Sequence, residues 1–127
     1  MISSYKELIV WQKSIELAQI IYQTTELFPR EKIYGLTSQM RRAVVSISSN
    51  IAEGRSRGTR KDFIQFLRIA SGSCAELETQ IEIAKKLPKT KGLNYQESII
   101  LILEITRMLN AMIRKLSVPS SKLTANS

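Results

Sequence analysis

Four groups of residues have types and spacings that could do chemistry. Glu76, Glu78 and Glu82 gather carboxylates in one stretch, and Glu78 and Glu82 are four apart, so on a helix they share a face. Carboxylate-bridged di-iron sites in helical bundles use such glutamates, but they also need a Glu-x-x-His pair from each of two helices. This chain has no histidine, so a solvated or ion-paired face is the simpler reading and no metal is expected. Ser3-x-x-Lys6 formally matches a Ser–Lys nucleophile pair. It sits at the cap of a helix, and the companion motifs of the enzymes that use it are missing. The lone Cys74 falls on an apolar helical stripe, where a small buried residue is the plain reading. Without histidine there is no Ser–His or Cys–His pair and no imidazole ligand, and there is no Gly-x-x-x-x-Gly-Lys-Ser/Thr run to cradle phosphates. We therefore expect no catalytic residue, no cofactor and no enzyme.

The fourth group is cationic. The 127 residues carry 19 Lys and Arg against 11 Asp and Glu, a formal net charge of +8. More than half of that excess lies in residues 41–61, where Arg41, Arg42, Arg55, Arg57, Arg60 and Lys61 stand against Glu53 alone. Arg55 and Arg57 would follow the C-terminus of a helix, where the macrodipole favours cations. Arg60 and Lys61 would open the next helix, where positive charge is disfavoured by roughly 0.3–1 kcal/mol. Helix N-termini bind anions through free N–H groups, and Arg can grip a phosphate bidentately. The segment thus suits phosphates, with Arg41 and Arg42 extending it along the preceding helix. The alternative is a solvated basic face that serves solubility. Phe63 and Phe66, the only aromatics near the cluster, read as core, so base-specific readout is not indicated.

Four helices must position these groups. Ser4 to Glu7 fits a capping box, and Leu8, Trp11, Ile15, Ala18, Tyr22 and Thr25 recur at spacings of three and four. Pro29 stops that helix, placing helix 1 over about 5–27. Tyr34-Gly35 reads as a turn, and a second stripe from Leu36 to Ile51 gives helix 2 over about 37–53, ended by Gly54 in the left-handed conformation. Thr59 and Asp62 mark the start of helix 3, whose stripe is Phe63, Leu67, Ala70, Cys74, Leu77, Ile81 and Ala84, with Pro88 beyond it. Asn94 to Glu97 caps helix 4, which runs from Ile99 to Leu116. Short connections force antiparallel neighbours. The fold expected is all-α, an up-down-up-down antiparallel four-helix bundle over residues 1–117, with a disordered tail over 118–127.

Helix 4 carries two apolar stripes, Ile99, Ile102, Leu109, Ile113 and Leu116, and Leu101, Ile105, Met108 and Met112. Either the core stripe is wide or the chain associates with copies of itself. Gly72, within a run of six small residues in helix 3, predicts a close approach by helix 2 at Ala43, Ser46 and Ser49. Ser46, Asn50 and Glu53 form a polar stripe beside it, best read as buried hydrogen bonds that fix register.

Trp11-Gln12, Phe28-Pro29, Tyr34-Gly35-Leu36, Gln39, Arg42-Ala43, Ser46-Ile47 and above all Ser49-Asn50-Ile51-Ala52-Glu53-Gly54 carry a resemblance. So do Arg57, Phe66-Leu67, Ala70, Gly72-Ser73, Glu76 and Glu78. With these residues the chain resembles the small four-helix bundle proteins encoded in intervening sequences of bacterial 23S ribosomal RNA genes. The resemblance covers about residues 5–87, and helix 4 by pattern. Ser48 stands where such proteins often carry proline, which removes the basis for a kink in helix 2. The resemblance implies a ring-like homopentamer with a link to RNA. A sister family, the accessory variability protein of diversity-generating retroelements, has a similar basic pentameric bundle that binds nucleic acid and partners a reverse transcriptase.

The expected function is therefore a non-enzymatic oligomeric bundle that binds RNA or DNA through backbone phosphates. The alternative is a scaffold docking a protein partner such as a reverse transcriptase. One cysteine, no signal-peptide layout and no apolar run of membrane-spanning length point to a cytoplasmic address without membrane contact.

Overall fold

The computed structural model describes residues 4–30 and 34–119. A short 3-10 turn, Tyr5–Glu7, leads into four α-helices: α1 (Ile9–Glu26), α2 (Tyr34–Ser56), α3 (Arg60–Ala84) and α4 (Gln96–Ser117). Each packs on its two neighbours, α1 on α2 and α4, and α3 on α2 and α4, with the α2–α3 contact the most extensive. This is the expected up-down-up-down bundle. One end holds the α2–α3 corner with the start of α1 and the finish of α4. Of the expected C-terminal tail, residues 120–127 lie outside the described residues, as does Ser3.

The helical boundaries depart from the sequence-based expectation at two glycines. Gly35 lies inside the first turn of α2 rather than in a turn before it. The first N–H groups of any helix make no intrahelical bond, so glycine weakens no ladder there. Gly54 is helical as well, and α2 continues to Ser56. The left-handed position is Gly58, with φ of 87°, after Arg57 N–H has closed onto the carbonyls of Glu53 and Gly54. Gly54 has a packing reason instead: a Cβ there would stand 2.6 Å from Phe66 Cβ. The close α2–α3 approach is real but not at Gly72, which is exposed with nothing within 4 Å of an added Cβ. α2 also runs through Ser48 without interruption.

The α3 stripe from Leu67 to Ala84 is buried throughout, with Phe63 packed against its edge. In α1 the buried face is Val10, Ser14, Leu17, Ile21 and Thr25, so the expected stripe is turned: Leu8, Trp11 and Ala18 are half-buried, while Ile15 and Tyr22 are exposed. Ser4 does cap, but it accepts from Lys6 N–H in the 3-10 turn, and α1 starts only at Ile9. In α4 both apolar stripes reach the core of the single chain. Leu101, Ile102, Ile105 and Leu109 are buried, and Ile99, Met108, Met112, Ile113 and Leu116 pack beside them. A wide core accounts for both stripes, while Ile100 and Leu103 of the same helix stay exposed.

α3 ends at Ala84, four residues before Pro88. The 85–95 connection is held from inside: Thr90 is fully buried and its hydroxyl donates to Ala84 O at 2.6 Å, while Tyr95 OH donates to Thr90 O at 2.7 Å. No helix among the described residues is long and apolar enough to cross a membrane.

Candidate nucleic-acid interface

The α2–α3 corner is built from a helix end, a glycine and a cap. Gly58 lets the chain reverse in three residues, and Thr59 Oγ1 accepts from Asp62 N–H at 3.2 Å to start α3, as the Thr–Asp spacing predicts. Gly54 brings Phe66 of α3 against the last turn of α2. Phe66 in turn supports a cation: the Arg57 guanidinium lies 5.1 Å from its ring centroid, and Arg57 Nε donates to Glu53 Oε2 at 3.1 Å. Half-exposed, that ion pair contributes little to stability, but together with the ring it fixes where the guanidinium points. Arg55 is half-buried beside it, and Arg60 and Lys61 are exposed in the first turn of α3. A cleft of about 140 Å³ between the two helix ends is lined by Gly54, Arg55, Gly58, Thr59, Arg60 and Phe63. Four cations thus converge on one corner.

Arg41 and Arg42 do not join them. They precede Arg55 by 14 and 13 residues, so they lie about 20 Å back along α2. Arg41 serves the α1–α2 contact: its Nε donates to Thr25 Oγ1 at 2.9 Å, Nη2 reaches Glu26 Oε2 and Tyr22 O at 3.3 and 3.4 Å, and its guanidinium lies 4.6 Å from the Tyr22 ring centroid. Arg42 is exposed and lines an open polar cleft of about 330 Å³ between α2 and α3 with Gln39, Ser46, Glu76 and Gln80. The nominated basic set therefore divides into a corner of four and two residues elsewhere. Sequence spacing gave no sign of this division, because the partners of Arg41 are on α1, 15 or more residues away.

In the polar stripe of α2, Ser46 and Asn50 are half-buried and hydrogen-bonded, whereas Glu53 is exposed, so the stripe is not buried along its length. Ser46 Oγ meets Ser73 Oγ of α3 at 2.8 Å, and Asn50 Nδ2 donates to Ser46 O and Oγ at 2.8 and 2.9 Å. Glu53 is engaged by Arg57. Cys74 is buried, and its thiol is pushed up to about 11 by burial, with a hydrogen bond to Thr106 acting against the shift. A thiol so protonated is not a nucleophile near neutral pH. Glu76, Glu78 and Glu82 are exposed, Glu82 bonded to Lys85 at 3.2 Å. Among the described residues no group of three or more acidic or cysteine side chains is placed to hold a metal ion.

Comparison with known proteins agrees with the motif-level resemblance. A family model described as 23S rRNA-intervening sequence protein matches residues 6–111. A solved structure from Bacteroides thetaiotaomicron VPI-5482, described as a protein with unknown function from the S23 ribosomal protein family, is 28% identical. It covers 83% of this chain and 98% of its own, with a TM-score of 0.74. No curated protein matches. The matched span takes in the first three helices and most of α4, and the chain belongs to the 23S rRNA-intervening sequence protein family.

Proposed function

We propose that this chain is a non-enzymatic helical bundle that binds RNA or other nucleic acid through its backbone phosphates, with the α2–α3 corner as the contact surface. The observation that carries the reading is the placement of Arg60 and Lys61 in the first turn of α3, beside Arg55 and Arg57. Cations at a helix N-terminus oppose the macrodipole, so the helix dipole does not favour their position. An anion held there would meet both the guanidinium groups and the helix's free N–H groups. Cation and helix end then act together instead of in opposition.

The same proposal includes self-association. Support comes from apolar side chains left on the outside of every helix, among them Ile9, Ile15, Val45, Ile69, Ile100 and Leu103. A ring of copies would repeat the basic corner and raise the local field on a polyanion.

Fluorescence polarisation with a labelled RNA tests the reading. Replacing Arg55, Arg57, Arg60 and Lys61 together by Glu should abolish binding while circular dichroism stays helical. Unchanged affinity in that variant would refute the assignment.

A further inference from the structure

We infer that a second set of cations, Arg68 of α3 with Arg107 and Arg114 of α4, continues the phosphate track from Lys61 along the outer face of the α3–α4 pair. This rests on the nucleic-acid reading above and extends it to a surface on the other side of α3 from α2. Lys61 and Arg68 are seven residues apart, as are Arg107 and Arg114, so each pair shares one face of its helix. All four side chains are exposed, whereas the opposite faces of the same helices are buried in the core.

The register of the two antiparallel helices interleaves the pairs. Cys74 of α3 meets Thr106 of α4, so Arg68 falls about level with Met112, between Arg107 and Arg114. Along the bundle axis the order from the corner is then Lys61, Arg114, Arg68, Arg107, alternating between two neighbouring helices over roughly 18 Å at 1.5 Å per residue. The outward residues between them, Gln65 and Asn110, are polar and uncharged, and the one carboxylate between Lys61 and Arg68, Asp62, is half-buried and turned about 100° around α3 from Lys61.

The four also differ in pairing from the cations that carry the bundle's ion pairs. Lys13, Arg41, Arg57 and Lys85 each hold a glutamate within 2.7–3.3 Å. The side chains of Lys61, Arg68, Arg107 and Arg114 make no ion pair or hydrogen bond with a described residue. A row of like charges that repel one another across a seam is unfavourable in the free protein. A polyanion laid along it relieves the repulsion and releases its own counterions. A nucleic-acid backbone, whose charges recur along a line, fits a linear track better than a single bound anion does.

The test is the triple variant Arg68→Gln, Arg107→Gln, Arg114→Gln, with the full chain titrated against a 20-base RNA, single-stranded and duplex, at several salt concentrations. Each lost phosphate contact makes the slope of log K against log salt shallower by about 0.9 for a duplex and about 0.7 for a single strand. The proposal expects a slope shallower by about 2–3 units and a clear loss of affinity, with light scattering unchanged. If the corner variant loses binding but the triple variant keeps the wild-type slope, the track is overturned and the corner reading stands. If neither variant changes binding, both fall. A triple variant whose assembly state changes would mark this face as an interface between copies and would also overturn the track.

Discussion

Gly54 and Phe66 set the distance between α2 and α3: a Cβ on the first would come within 2.6 Å of the Cβ of the second, and within 3.2 Å of the Phe63 ring. Because the obstructing Cβ is fixed to the α3 backbone, a side chain at position 54 has to push the helices apart. Gly54→Ala should therefore destabilise the fold by about 1–3 kcal/mol, as overpacking does, despite alanine's higher helix propensity. Gly72→Ala has open space and an ordinary helical backbone, so it should stabilise by up to about 1 kcal/mol. Urea denaturation of the two variants reads the opposite signs directly.

Ser46 and Ser73 tie the same two helices by a polar contact, with Asn50 donating into it. Ser46→Ala leaves the other two without their shared partner in a half-buried site. The loss should be about 1–3 kcal/mol. The Ser46→Ala, Ser73→Ala double variant should cost less than the sum of the singles, since the neighbours share one network. Denaturation midpoints for the three variants check this.

Arg41 separates a structural cation from the proposed binding ones. Its bonds to Thr25 and the Tyr22 carbonyl join α1 to α2, while its pair with the exposed Glu26 adds little. Arg41→Gln should lower stability by roughly 1 kcal/mol and leave the salt dependence of RNA binding as in the wild type. Thermal denaturation and an RNA titration on the same preparation distinguish the two effects.

Alkaline pH should expose the buried thiol. Cys74 titrates near 9.0 when solvated and is raised by burial to about 11 in the fold, and burial raises Tyr95 in the same direction. A raised acid binds its proton more tightly when folded, so its contribution is fully present below pH 9 and is lost as pH rises from 9 through about 11. Stability should decline over that range, and Cys74→Ala should make the decline shallower. Native protein at pH 7 should not react with a thiol reagent until it is unfolded.

Much of this architecture is legible in the order of residues. The unbroken three-and-four spacing of α3 and its Thr59 cap predict both the helix and its buried face. Glycine was less informative, because the same residue type serves three needs here: Gly58 a left-handed turn, Gly54 a close approach, and Gly35 neither. Only the packing tells them apart. The charge clustering at Arg55, Arg57, Arg60 and Lys61 could be seen because those residues are neighbours in sequence. Arg41 looked equivalent until its partners on α1 were in place. Arg68, Arg107 and Arg114 form no local run, because their seven-residue repeat is spread over two helices. Pairs of cations seven apart on α3 and α4 were the signal that a window count misses.

The most direct measurement is the salt dependence of RNA binding by the wild type and by Arg60→Gln, Lys61→Gln, the two cations that the helix macrodipole opposes. Both proteins should bind unrelated RNA sequences alike. On a duplex the double variant should show a slope of log K against log salt shallower by about 1.8, two contacts at about 0.9 each. A wild-type affinity insensitive to salt, or a double variant with the wild-type slope, would contradict phosphate binding at the α2–α3 corner.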